Sequence, residues 1–359
     1  MLIQLAVMGL LAALLPLAIV WVSSDADKYR KLVWITLFFT FDLIMFGAFT
    51  RLTDSGLGCP DWPGCYGQAN PLQAHANISA AEAAMPTGPV TVMKAWIEMI
   101  HRYLAMGIGV LIIALMVISW RKWLQSGRRA MKFSPLFPTL LFAFVCLQGA
   151  FGAWTVTMKL QPIIVTIHLL LGMMLLALLA WHGARLSDHP PLPPPAVALR
   201  VPALLAAVLL TVQLALGGWV STNYATLACQ DFPLCQGALW PTMDFANGFT
   251  LWRNLGMTAK GEFLPFPALT AIHWTHRMFA FAVVALAAWV ALRALKVDGL
   301  RKTARWLLAM IALQFATGVS TVFLSFPLAL AVLHNGGAAL FVLLLSMLNY
   351  KVRFAGAPK

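Results

Sequence analysis

Cys59-Pro-Asp-Trp-Pro-Gly-Cys-Tyr-Gly67 returns 170 residues later as Cys229-Gln-Asp-Phe-Pro-Leu-Cys-Gln-Gly237, with Cys, Asp, Pro, Cys and Gly kept at alternate positions. The same shift sets Gly47 on Gly217. A shift of 175 sets His101-Arg102 on His276-Arg277, and one of 166 sets Leu147-Gln148 on Leu313-Gln314, Gly152 on Gly318 and His168 on His334. A match that persists over so much of the chain, in one direction, is an internal repeat, and it governs the fold that can be expected.

The solvent of that fold follows from composition. The 359 residues are 61% hydrophobic and 10% charged, with a mean hydropathy of +0.81. Soluble domains carry about 25% charged residues. The charge here lies between apolar runs of the roughly 20 residues that cross a hydrocarbon core. Spans are expected near 2–22, 32–50, 91–119, 135–156, 162–183, 201–222, 267–292, 303–324 and 327–349. The last eight divide into four per repeat. The expected fold is therefore an all-α integral membrane protein: two tandem parallel four-helix bundles and an additional N-terminal span. Even numbers of spans give both halves one orientation, related by an axis along the membrane normal.

A net charge of +13 invites a nucleic-acid reading, which its distribution excludes. Basic residues concentrate in alternate connections, at Lys28–Lys31, Arg121–Lys132, Arg185–Arg200 and Arg293–Arg305, and in the tail from Lys351. The opposite connections hold only Arg51, Lys159, Arg253 and Lys260, with Lys94, Arg102 and Arg277 near helix entrances. This is the positive-inside bias. It predicts a multi-pass protein of a bacterial inner membrane, with the cysteine loops on the periplasmic face. Residues 1–22 lack the basic start and the small-residue cleavage site of a signal peptide, so a retained span is the preferred reading. His189-Pro-Pro-Leu-Pro-Pro-Pro195 cannot continue a helix and favours polyproline II. The expected organisation is 1–28 N-terminal helix and basic segment, 29–183 first repeat, 184–200 linker, 201–350 second repeat and 351–359 basic tail.

Four histidines, at 101, 168, 276 and 334, occupy repeat-related positions inside predicted spans. An ionisable side chain in a membrane helix is costly and marks a candidate site. A lone histidine could simply be bonded to a neighbouring carbonyl; four matched ones argue for more. At 1.5 Å per residue they lie about 15, 9, 13 and 10 Å below the outer entrances of their helices. Facing imidazoles in a helical bundle are a usual means of holding a haem iron. Zinc fits less well, because it needs three or four ligands close together. Arg102 and Arg277 are candidates to pair with haem propionates, the alternative being snorkelling to the interface.

Glu98, three residues before His101, shares its helix face and has His273 as its repeat partner. Two identical cofactor sites would not need this difference, so one half is expected to do chemistry; a structural ion pair with Arg102 or Arg51 is the competing role. Asp42, matched by Val212, is a second intramembrane carboxylate with no assigned role. Cys59 with Cys65, and Cys229 with Cys235, suit a disulfide in each outer loop, with zinc binding or electron transfer as alternatives. Cys146, without a repeat partner, is expected to be a small buried apolar residue.

Arg51-Leu-Thr-Asp-Ser-Gly-Leu-Gly-Cys-Pro-Asp-Trp-Pro-Gly-Cys65, Glu98-Met-Ile-His101-Arg102 and the later His168, His276-Arg277 and His334 resemble the haem A synthase family, over about residues 29–350. The additional N-terminal span departs from that family's simplest eight-helix pattern. The resemblance implies an oxidoreductase that converts the C8 methyl of haem O to a formyl group by successive hydroxylations, giving haem A for respiratory terminal oxidases. It implies a haem b cofactor on His276 and His334, with Arg277, and substrate haem O at His101, His168 and Arg102, with Glu98 at the reacting edge. The implied partners are membrane lipid, haem O synthase and a membrane electron donor or acceptor; homo-oligomerisation stays open. Two rival classes are a di-haem cytochrome b that only moves electrons, which leaves Glu98 and the cysteine loops unexplained, and a transporter, which leaves the histidines unexplained.

Overall fold

The computed structural model describes residues 1–355, so the last four residues of the basic tail lie outside the described residues. The helices are α1 (Leu2–Val22), α2 (Lys28–Leu52), α3 (His75–Ala84), α4 (Val92–Gln125), α5 (Leu136–Thr157), α6 (Pro162–Arg185), α7 (Arg200–Thr222), α8 (Phe245–Gly248), α9 (Phe266–Ala294), α10 (Arg301–Phe323) and α11 (Leu328–Arg353). Among the described residues, nine of these are long and apolar enough to cross a membrane. They are the nine expected from hydrophobic run length, and the chain is an all-α, multi-pass membrane protein.

Helix ends differ from the expected spans where local chemistry carries the helix past the apolar run. The Asp27 side chain accepts the Arg30 N–H at 3.0 Å, a cap that starts α2 before the hydrocarbon begins. Its other oxygen pairs with Lys132 at 2.7 Å. Arg121-Lys122, good helix formers, prolong α4 to Gln125. The proline-rich connection leaves the helix as expected, then closes into a 3-10 turn over Pro194–Leu199.

The chain separates into two compact units, Met1–Leu160 with Met174–Ser187, and Gln161–Met173 with the chain from Asp188 onward. They follow the repeats except at α6, whose first turns group with the second unit. The reason is a close approach to α7: a Cβ on Gly218 would stand 2.9 Å from Leu169 and 3.3 Å from Thr166, and the Thr166 and Thr222 hydroxyls are 3.4 Å apart.

In the first unit α1 packs on α4 and α2, which places the additional span against the histidine-bearing helix. Small residues permit the contact: a Cβ on Gly9 would fall 2.9 Å from Met106 Cβ, and one on Gly107 2.9 Å from Ala12 Cβ. In the second unit α7, α9, α10 and α11 form a ring, α7 touching α9 and α11, and α10 touching α9 and α11. Its buried apolar cluster runs through Leu210, Val283, Ile311 and Phe341 toward the basic ends of the helices. The cluster stops about two turns short of Gly217, His276, Gly318 and His334.

The alternate-residue identities of the loops now have separate causes. Disulfides join Cys59 to Cys65 and Cys229 to Cys235. Asp61 accepts the Tyr66 and Gly67 amides, each at 2.7 Å, and Asp231 accepts those of Gln236 and Gly237 at 2.7 and 2.8 Å. Burial opposes ionisation of the Asp231 carboxyl, but the Gly237 and Gln236 amides overcome it and hold the group below the usual carboxylate range. Pro63 and Pro233 each follow a cis peptide bond. Gly67 and Gly237 adopt φ of +71° and +74° after Tyr66 and Gln236 at +50° and +55°, the two left-handed residues of a type I′ turn.

Cys146 corrects one expectation: it is exposed on α5 rather than buried, because that helix turns its side toward the surroundings of the unit. Replacing Gly107 with Leu should lever α1 from α4. The expected result is several-fold faster proteolysis at the 23–27 connection, with the far-UV helical signal kept.

Candidate functional site

His101 and His276 occupy corresponding positions on α4 and α9, each against a glycine of the preceding repeat helix. A Cβ on Gly47 would stand 3.0 Å from His101 Cε1, and one on Gly217 3.0 Å from His276 Cε1. His334 on α11 faces Gly318 of α10 in the same manner, at 3.3 Å. The glycines that repeat along the sequence are thus the recesses that receive the imidazole rings. Phe46 adds a stacked ring to His101, with centroids 6.3 Å apart. His101 lies in the first unit, and His168, on the first turns of α6, in the second.

His276 and His334 lie in one unit, near enough to interact electrostatically. Each has polar neighbours that sequence reasoning missed. The Gln213 amide nitrogen donates to the His276 carbonyl at 3.2 Å and stands 3.2 Å from Nδ1. Gln314 donates to the His334 carbonyl at 3.1 Å, and the Thr317 hydroxyl lies 2.8 Å from His334 Nδ1. Gln314 carried a signal, since it repeats Gln148; Gln213 and Thr317 stand opposite Leu43 and Phe151 and carried none. Both rings are partly accessible although they sit in membrane helices, where the packed cluster has ended. Two partly accessible imidazoles on α9 and α11, beyond the fully buried cluster, are a donor set compatible with a flat macrocycle. Among the described residues no group of three or more His, Cys, Asp or Glu could hold a metal ion, which disfavours the zinc alternative.

His182, buried near the end of α6, shows the contrasting structural role. It is hydrogen-bonded to Tyr29 Oη at 3.2 Å and stacked on Phe137 at 4.9 Å.

The two arginines hold the loops. Arg102 donates to the carbonyls of Asp61, Pro63 and Gly64 at 3.0, 3.3 and 2.5 Å, and pairs with Glu98. Arg277 donates to Asp231 and Leu234 at 2.7 and 3.2 Å, to Cys229 at 2.6 Å and to His273 Nε2 at 3.2 Å. Glu98, 4% exposed, accepts the Cys59 amide at 2.7 Å through its other oxygen. Its repeat partner His273 meets the Cys229 amide at 3.4 Å. Glu98 is therefore an ion-pair partner of Arg102 and a tie to the loop. All four bonded cysteines are buried, which denies an attacking thiolate access to their sulfurs. Asp42 lines a small cavity with Ala12, Pro16 and Gly107, away from these groups.

Fold and site together define a helical membrane protein with tandem repeats and four repeat-related histidines within its membrane helices. The chain belongs to the cytochrome oxidase assembly protein family, whose model matches residues 30–347. It is 39% identical to a heme A synthase of Shewanella oneidensis over 89% of this chain and 96% of the relative. It is 31% identical to a heme A synthase of Rhodopseudomonas palustris, covering 91% of this chain and 90% of the relative. For that of Bradyrhizobium diazoefficiens the identity is 30%, over 91% and 93%.

Deleting either arginine should loosen its loop, unequally. Arg102→Ala strands the buried Glu98 carboxylate and should cost about 3–5 kcal/mol. Arg277→Ala leaves no carboxylate behind and should cost less. Thermal unfolding of the two variants in detergent checks the order.

Proposed function

We propose that this chain is a haem A synthase: an oxidoreductase that converts the C8 methyl of haem O to a formyl group in a bacterial inner membrane, its disulfide loops on the periplasmic side. The observation that carries the reading is the set of repeat-related histidines, with three of their rings received by a glycine, in a chain whose relatives are named heme A synthase.

On this reading His276 and His334 hold a haem b through their Nε2 atoms, in the stretch of bundle where close apolar packing ends. Bound there, haem b would supply one-electron transfer. Haem O would bind as substrate at His101 and His168. Gly47 keeps the His101 ring against α2, and Phe46 limits its rotation. Arg102 and Arg277 act first on the loops that close the helix mouths; propionate contacts would fall to their remaining N–H groups. The substrate methyl has no acidic proton, so its oxidation requires electron removal or an activated oxidant. Glu98, one turn outward from His101, is the nearest carboxylate on that helix to accept a released proton or to stabilise positive charge on the porphyrin. Two hydroxylations give a geminal diol, which loses water to the aldehyde. Haem O synthase, a membrane electron donor or acceptor and a second copy of the chain are the proposed partners.

His276→Ala or His334→Ala should abolish or severely weaken the low-spin haem b spectrum, whereas His101→Ala or His168→Ala should spare much of it and stop conversion. A normal bis-histidine spectrum in the His276→Ala, His334→Ala double variant would refute the ligand assignment.

The Glu98 role has a separate test. Glu98→Gln should keep haem b while extracted haem A falls about 10²–10⁴-fold, the usual contribution of a general acid–base group. Loss of folded protein without a specific loss of turnover would leave Glu98 as the Arg102 partner alone.

A further inference from the structure

We propose that Thr317 is a positioning residue that fixes the proton of His334 on Nδ1 and so presents Nε2 as the metal-binding atom. This rests on the reading of His334 as a haem ligand. A threonine hydroxyl has one hydrogen, and in α10 two main-chain carbonyls lie within its reach, those of Leu313 at 2.8 Å and Gln314 at 3.2 Å. On this proposal the hydrogen goes to that pair, the back-bonding common for threonine inside a helix. Its oxygen faces His334 Nδ1 at 2.8 Å with lone pairs only. The bond can then form only if Nδ1 carries the N–H and donates. A neutral imidazole has a single N–H, so Nε2 is left bare.

Two neighbours on the same face of α10 complete the restraint. Gln314 donates to the His334 carbonyl, and Gly318 leaves room for the edge of the ring. Positions 314, 317 and 318 are three and four apart, the spacing that brings side chains together on one helix face. Gln213 is built differently: it presents an amide nitrogen toward His276 Nδ1, while its own Oε1 is buried without a hydrogen-bond partner. His334 is therefore the ring whose metal-binding form is set in advance. The repeat does not require this acceptor, because Phe151 occupies the equivalent position in the first half. An acceptor on Nδ1–H also makes a bound imidazole more basic, which favours ferric over ferrous iron and lowers the midpoint potential.

The test uses the full chain in detergent with Thr317→Val, which keeps the shape and deletes the hydroxyl, and Thr317→Ser, which restores it. Haem content, the low-spin EPR spectrum and the midpoint potential are read beside the unfolding temperature. Thr317→Val should weaken haem retention about 10–100-fold, the usual effect of losing such a partner, and raise the potential of the remaining haem; Thr317→Ser should return both toward wild type. Wild-type retention, spectrum and potential in Thr317→Val would overturn the proposal. So would an equal defect in Thr317→Ser, or a defect that merely follows a lowered unfolding temperature. His334→Ala is measured in parallel: if it keeps the haem, the ligand reading fails, whereas its loss beside a silent Thr317→Val removes only the role of Thr317.

Discussion

Each half of the molecule depends on an arginine that leaves its helix to bind the backbone of a loop. Arg102 and Arg277 sit one residue after a histidine, near the ends of helices where the apolar environment begins. Their guanidinium groups are spent on carbonyls of the disulfide loop, three in each case. A carbonyl facing hydrocarbon without a donor would cost several kcal/mol, so irregular backbone at a helix mouth needs such a donor. The disulfide, the aspartate caps and the type I′ turn shape the loop. The arginine attaches that shape to the histidine helix, so loop geometry and ring position are set together.

This division of labour explains what was legible in the sequence. Spans could be read because the bilayer enforces run length, and their ends drifted where Asp27 capped α2, where Arg121-Lys122 extended α4 and where α11 ran on to Arg353. The short helix α3 could not be read that way: it is an alanine-rich turn sequence outside any span, pinned at its far end by Glu82 accepting the Val92 amide at 3.0 Å. The histidines were legible through the repeat, and the repeated glycines were visible without their purpose, which is to receive the rings. The arginines were noticed beside the histidines, but their targets are backbone carbonyls, which any residue supplies and which leave no trace in a sequence. Thr317 was invisible for a different reason: a threonine in an apolar helix is ordinary until the ring opposite it is located.

The repeat also allows each half to serve as a control for the other. Features present in both, the disulfide, the aspartate caps, the arginine latch and the ring-receiving glycine, belong to the scaffold. Glu98 against His273 is the instructive difference, because Glu98 meets Arg102 and the Cys59 amide where His273 meets the equivalent Arg277 and Cys229 amide. The position demands an acceptor and leaves open whether it carries charge. A carboxylate there is thus compatible with the latch without being required by it, and this separates the structural duty of Glu98 from any chemical one.

Two further differences lie beside the rings of the second half. Gln213 and Thr317 stand beside His276 and His334 where the first half has Leu43 and Phe151. Hydrogen-bonding side chains beside an imidazole limit its rotation before anything binds, and on the proposed reading Thr317 also selects the tautomer of His334, which suits a site that keeps its occupant. Apolar side chains at the same places set no tautomer and define only shape, which suits a site that must accept one molecule and release its altered form. On the proposed reading, a duplicated bundle became an enzyme by keeping the disulfide, aspartate caps and arginine latch of its loops and changing a few residues around the rings. One half turned toward retention and the other toward turnover, and neither change disturbed the arginine that fastens loop to helix.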